Sequence, residues 1–303
     1  MIESFILKSM RDKTLYDKEK WIEVYPKYLR NLYGSSVCMR RSPYRDPDEF
    51  AKHNILFYVR LEEFLNMRER EMENQLNGKW HYRFINGETS NEYGIHVSDE
   101  NGNKLFVLFS DQFGFSAPTN DKKYPYDYYA ELAKDDLEKA ISNIAVWIDE
   151  SRSLGGSFLW PRHNKDKSNY NQARGGSKNS VNYSRYYIED RVDLTLLEIK
   201  HIFDEKKTET DILYPYWNRC EELKIFFDHF GSFKTYIEFF MMDDLVKGDM
   251  PIDIITGETM TDEDIKKYRN KKVSIFDLEI DRLEQMLRRV NDLIVARSNK
   301  IQG

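Results

Sequence analysis

Between residues 79 and 117 the spacing of apolar residues changes from helical to alternating, and this change most constrains the fold. In KWHYRFING, Trp80, Tyr82 and Phe84 alternate with polar neighbours, the period-two pattern of a strand with one face buried. YGIHV and KLFVLFS read as two more strands, and SDENGN between them is a strong turn signal. Three short strands in this order make a small antiparallel sheet.

Around that sheet the pattern is helical. DKEKWIEVYPKYLRNLY puts Trp21, Ile22, Tyr25, Tyr28, Leu29 and Leu32 near helical spacing, with Pro26 to kink or end the helix. DPDEFAKHNILFYVRLEEFLNMREREMENQL reads as a long helix that Asp46 can cap, with Pro47 suited to its first turn. After the sheet, Leu137, Ile141, Ile144 and Ile148 mark another helix, and GGSFLWP reads as a short buried strand following a glycine break. DRVDLTLLEIKHIFDEK is a helix with Asp193 available as its cap. FFDHFGSFKTYIEFF, hinged at Gly231, gives two helices whose aromatic residues belong in a core, and KGDMPIDIITGE reads as a loop. The expected class is α+β: a mainly helical body with a small antiparallel sheet in the first half and a long C-terminal helix. Residues 1–120 form a mixed N-terminal region and 121–303 a mainly helical C-terminal one.

The final helical stretch opens near TDEDIKKY with Thr261 as N-cap. Val273, Phe276, Ile280, Leu283, Leu287, Val290 and Ile294 then recur at alternating steps of three and four, a heptad seam. Such a seam either lies on the chain's own core or joins subunits, which would make the protein a homo-oligomer. Arg288, Arg289 and Arg297 fall between seam positions and are expected to face solvent or a partner.

The net charge of −6, with both signs plentiful, argues against a general nucleic-acid coat and is too dilute for a DNA mimic. Cys38 and Cys220 stand far apart with no metal-type spacing, as expected of reduced thiols in a cytoplasm. MIESFILKSMRDK lacks the apolar run of a signal peptide, and no stretch approaches the roughly 20 apolar residues of a membrane span. Abundant Lys, Asn, Ile and Tyr fit an AT-rich genome, such as that of a low-GC bacterium or its phage.

Against this acidic background, WPRHNKDKSNYNQARGGSKNS sets Arg162, Lys165, Lys167, Arg174 and Lys178 against one acid, Asp166. Three readings stay open: a solvated loop, a contact for phosphate or nucleic acid, or a contact for an acidic protein. The candidate contact residues are Trp160, Arg162, Tyr170, Asn171, Arg174 and Lys178. Neither GxxxxGK[ST] nor GxGxxG is met, and the histidines make no HxH, HExxH or His–Cys spacing, so no cofactor or metal is expected. Just beyond, EDRVD offers Asp190, Arg191 and Asp193. They read either as a helix cap with a salt bridge that pins the loop, or as a carboxylate base or metal ligand opposite Arg174. No GxSxG or nucleophilic-cysteine context accompanies them.

GGSFLWP, NQARGG, DRVDLTLLEIKHIF, FFDHFGSFKTYIEFFMMDDLV and DLIVARSNKI, in this order, resemble an uncharacterised bacterial and prophage family known only as a domain of unknown function. The likeness covers residues 155–300. Pro161, Asn171, Ala173, Arg174, Gly175, Asp190, Arg191, Asp193, Leu194, Thr195 and Leu196 stand at its motif positions. Arg162, His163 and Gln172 depart from it, replacing a glycine, an asparagine and a glycine. A fainter, motif-free likeness is to phage inhibitors of bacterial defence complexes of the Gabija anti-defence type. The expected function is therefore a non-enzymatic interaction protein of the cytoplasm. In its narrower form it is a phage-encoded oligomer that sits on a host defence complex. A module for a nucleotide or phosphate built on the basic segment is the alternative, and nucleic acid is not favoured.

Overall fold

The computed structural model describes residues 55–86, 93–112, 153–161, 191–206, 220–269 and 278–302, with Trp217 and isolated positions between 129 and 150. The expected helix around Trp21–Leu32, the Asp46 cap, Cys38, Val273 and Phe276 lie outside the described residues. The same holds for Leu137, Ile141, Ile144 and Ile148, although Tyr129, Leu132, Lys139, Asn143 and Trp147 of that stretch are helical.

Among the described residues six helices surround a four-stranded sheet. The helices are α1 (Ile55–Glu71), α2 (Val192–Phe203), α3 (Glu221–Phe230), α4 (Phe233–Phe239), α5 (Asp262–Arg269) and α6 (Ile280–Gln302). The sheet comprises β1 (Trp80–Asn86), β2 (Tyr93–Asp99), β3 (Lys104–Gln112) and β4 (Ser157–Pro161), antiparallel and in sequence order. The three strands of the alternating stretch form as expected. The buried GGSFLWP segment joins them as the fourth, with Ser157 opposite Gln112 and Pro161 opposite Leu108. KGDMPIDIITGE is not a plain loop. Val246–Lys247 (β5) pairs with Met250–Pro251 (β6) as a short hairpin, followed by a bridge between Ile252 and Thr259.

The β1 edge of the sheet is closed by side chains from α1, and α6 binds the first carbonyl of β4. On β1 the outward amides of Trp80, Tyr82 and Phe84 have no strand to pair with. Glu69, Asn66 and Glu62 accept from them at 2.8, 3.2 and 2.8 Å, and Asn66 Nδ2 donates back to the Tyr82 carbonyl at 2.8 Å. These three residues recur along α1 at helical spacing on one face, so α1 serves as a surrogate strand. At the β4 end, Arg297 of α6 donates to the carbonyls of Gly155 (2.9 Å), Ser157 (2.8 Å) and Phe240 (2.8 Å). Arg297 is buried, and burial pushes its guanidinium down to about 9. It therefore remains charged at neutral pH.

The sheet's apolar face meets the aromatic residues of α3 and α4. Trp80 and Phe106 stand edge to face at 5.4 Å, Phe106 and Phe226 at 6.2 Å, and Phe226 and Phe230 at 5.3 Å. Gly231 ends α3 in the left-handed region at φ 66°, where glycine costs least. Ser232 then caps α4, accepting from the Thr235 amide at 3.1 Å. Thr261 caps α5 as expected, in a reciprocal pair with Asp264.

The heptad seam faces inward. Leu283, Leu287, Val290 and Ile294 are at most 4% exposed within one chain, so the chain's own core covers them and leaves nothing at those four positions for a second copy. The stretch is also not continuous: α5 ends at Arg269 and α6 begins at Ile280, itself only partly buried. Of the arginines expected outside, Arg288 is exposed, whereas Arg297 is a core residue.

α6 rests directly on the glycine turn before β4. A Cβ on Gly155 would lie 2.2 Å from Ser298 Oγ and 2.4 Å from the Ile294 carbonyl oxygen. Gly155→Ala is therefore expected to lower the unfolding free energy by about 1–3 kcal/mol in a denaturant titration. An unchanged midpoint would show that the turn does not bear on α6.

Candidate functional site

α2 carries the centre of the motif region, and it is buried on every side. All nine residues from Arg191 to Ile199 are buried, although Arg191, Asp193, Thr195 and Glu198 are polar. A helix buried all round is normally apolar, so its polar groups must be satisfied inside.

Arg191 precedes the first turn and reaches back onto it. Its Nε and Nη2 donate to Asp193 Oδ1 at 3.0 Å and Oδ2 at 2.5 Å, the two-pronged match of guanidinium and carboxylate. The same Nη2 donates to Asp253 Oδ1 at 3.1 Å. Asp193 also accepts from the amides of Leu194 and Ile254, both at 2.9 Å. Four donors saturate a carboxylate, which leaves Asp193 no free lone pair for a metal or a substrate proton. The salt bridge expected at EDRVD is present; the cap is not. Asp193 is the second residue of α2, and no side chain caps that helix.

The turn that holds Asp253 is gripped from the other side as well. Arg289 of α6 donates to the carbonyls of Ile254 at 2.5 Å and Ile255 at 3.1 Å. Gly257, at φ 81°, lets that side chain pass, since a Cβ there would come within 3.1 Å of it. Two arginines thus bind one turn to α2 and α6. At the far end of α2, buried His201 meets Asp262 at 3.0 Å, and Lys206 pairs with the same carboxylate. Burial alone would raise the Asp262 carboxyl, but the hydrogen bonds from Lys206 and His201 outweigh it and hold the group below the ordinary carboxylate range.

A second buried network joins α1, β1 and α3. Glu69 Oε2 accepts from the Tyr82 hydroxyl at 3.0 Å and faces His229 Nε2 at 3.1 Å. The imidazole stacks on Trp80 at 3.5 Å with the rings 6° apart. Burial, the Glu69 charge and its hydrogen bond together raise the Tyr82 hydroxyl well above the ordinary value. It stays protonated, and it serves Glu69 as a donor.

Of the predicted contact residues, Arg162, Tyr170, Asn171, Arg174 and Lys178 lie outside the described residues, as does Asp190. Trp160 is described and is not a surface residue. It is fully buried in β4, its ring 5.9 Å from Phe158 and 6.5 Å from Phe227. The residues that sequence reasoning missed are Asp253, which lies 62 positions from Arg191, and the group Glu69, Tyr82 and His229. The one sequence signal for the latter was the polar spacing of Glu62, Asn66 and Glu69 on α1. Among the described residues no group of His, Cys, Asp and Glu could hold a metal ion. None of the described helices is long and apolar enough to cross a membrane.

The chain belongs to the family of unknown function DUF6994, whose model matches residues 44–301. The match begins well before residue 155, where the resemblance was expected to start, and takes in α1 and the first three strands along with the C-terminal motifs. No curated protein and no solved structure matches the chain.

Two measurements follow. Arg191→Leu leaves Asp193 and Asp253 buried without their cation and is expected to cost about 3–5 kcal/mol of stability in a denaturant titration; a loss below 1 kcal/mol would rule out the cluster as the pin of α2. Asp262 has a folded pKa held below its unfolded one. Its contribution is therefore fully present above the ordinary carboxylate range, near pH 4, and is lost as pH falls through the lower folded value. Asp262→Asn is expected to flatten the acid side of the stability–pH curve and lower its neutral plateau. An identical acid limb in the variant would contradict this.

Proposed function

We propose that this chain is a non-enzymatic cytoplasmic binding protein whose basic segment, residues 162–178, engages an acidic surface of a protein partner, with the folded body as its mount. One observation carries the reading. The elements that flank the segment in sequence, β4 and α2, are buried along nearly their whole length, and α2 is pinned by Arg191, Asp193 and Asp253. Asp193 and Asp253 are thus committed to holding the mount. A carboxylate saturated by four donors supports an anchor and not a base.

The closed sheet edge supports the same reading from another side. The outward amides of β1 are already satisfied by Glu62, Asn66 and Glu69, so a partner strand has nothing to pair with there. Self-association through Leu283, Leu287, Val290 and Ile294 forms no part of this reading, because the chain's own core covers those four residues. The narrower form, a steric inhibitor seated on a host defence complex, relies on the same segment.

The test replaces Arg162, Lys165, Lys167, Arg174 and Lys178 together by Ser. Fluorescence anisotropy then compares variant and parent against labelled polyglutamate, single-stranded RNA and ATP at low salt. The expected result is polyglutamate binding that weakens about tenfold or more in the variant, RNA bound no more tightly than polyglutamate, and no ATP binding, with the melting temperature unchanged. Equal polyglutamate affinity in variant and parent would overturn the proposal. Saturable ATP binding lost in the variant would replace it with the nucleotide-module reading, and tighter RNA binding with steep salt dependence would replace it with a nucleic-acid one.

A further inference from the structure

The outer face of α1 is not used by the sheet. Its inner face carries the edge-closing residues, while Arg60, Glu63, Met67 and Arg70 recur on the opposite side. Against that side lies an open groove of about 580 Å³, floored by Phe64, Met67, Leu154 and Ile301 and flanked by Arg60 and Arg70. Phe64 is buried and the other three floor residues are half-buried, so the floor presents apolar surface to solvent. Its volume is in the range of ligand-binding clefts.

The groove carries two guanidinium groups. Five described arginines are committed, Arg68 to the Glu238 and Phe239 carbonyls, Arg191 to Asp193, Arg288 to Glu284, Arg289 to Ile254 and Arg297 to three carbonyls, whereas the exposed Arg83 and Arg282 are as free as those at the groove. Arg60 and Arg70 sit exposed at the groove with no ion pair and no hydrogen bond. They are ten residues apart on one helix, or about 15 Å along its axis. Glu63 lies between them and also makes no pair.

We propose that this groove is a docking site for an acidic amphipathic helix of a partner protein. The helix would lie along α1, with its apolar stripe on Phe64, Met67, Leu154 and Ile301 and with acids near its two ends on Arg60 and Arg70. The geometry selects this occupant. A fatty acid has one carboxylate and cannot meet two guanidinium groups about 15 Å apart. A phosphate chain laid between them would meet Glu63. A helix offers apolar residues along one stripe and acids at two separated points, the helix-in-groove mode of recognition. None of the groove residues invoked here belongs to 162–178, so the docking site is tested separately from the basic segment.

The experiment uses the full chain with 13C-methyl methionine, the Met67 resonance being identified by its loss in Met67→Leu. The probe is a synthetic amphipathic helical peptide with a leucine stripe and two glutamates ten residues apart. A control peptide has lysine at both glutamate positions, and laurate is added separately. The expected result is a saturable shift of Met67 with the glutamate peptide, weakened about tenfold or more in the Arg60→Glu/Arg70→Glu double variant, and no saturable shift with the lysine peptide. Both substitutions are on exposed residues, and an unchanged melting temperature establishes that the variant is folded. A Met67 shift that is absent with the glutamate peptide, equal with the lysine peptide, or produced only by laurate would overturn the proposal.

Discussion

The structure depends on how one buried carboxylate is satisfied. Glu69 of α1 meets β1 and α3 together: β1 supplies the Trp80 amide and the Tyr82 hydroxyl, and α3 supplies the His229 ring. An ionised carboxylate is expensive to bury alone and tolerable when fully hydrogen-bonded. It therefore accepts only the arrangement in which all three elements arrive together. Apolar packing of Trp80, Phe106 and Phe226 supplies the larger driving force but is tolerant of small slips. The Glu69 network fixes register, because shifting β1 by one residue would turn the Trp80 and Tyr82 amides away from α1.

The same logic recurs wherever backbone would otherwise be left unsatisfied. Glu62, Asn66 and Glu69 complete the ladder of β1, Arg297 binds the carbonyls beside β4, and Arg191 with Arg289 holds the turn at Asp253. In the first two cases a polar side chain from a helix does the work that another strand would do in a larger sheet. This is how β1 can stand at the edge of a sheet in a mainly helical chain with its outward amides paired. It also spends Arg191 and Asp193, two of the polar residues that the sequence nominates as chemistry.

How much of this could be read in advance follows from the range of each interaction. Trp80, Tyr82 and Phe84 announced β1 because alternation is a local property, and Gly231 announced a hinge for the same reason. Thr261 and Asp264, three residues apart, marked a cap. Trp160 was misplaced because an aromatic residue beside Arg162 reads as a contact, while its burial depends on Phe227, far along the chain. Asp193 was taken for a cap because its distant donor, the Ile254 amide, is invisible to local spacing. The heptad seam was legible as a stripe, but periodicity cannot tell the chain's own core from a second copy. For Leu283, Leu287, Val290 and Ile294 the answer is their burial in the chain's own core.

The arginines sort the molecule into scaffold and surface. A guanidinium that meets backbone carbonyls or a buried aspartate has exchanged water for fixed acceptors and is held in one geometry. Arg191, Arg289 and Arg297 are of this kind, and each ties together segments distant in sequence. Arg60 and Arg70 have made no such exchange, yet they stand beside exposed apolar floor, where leaving water would cost a partner little. An exposed arginine next to half-buried apolar side chains pairs a charge with desolvation, the combination that concentrates binding energy at interfaces. By that criterion the outer face of α1 meets, among the described residues, the physical requirements of the docking site proposed there.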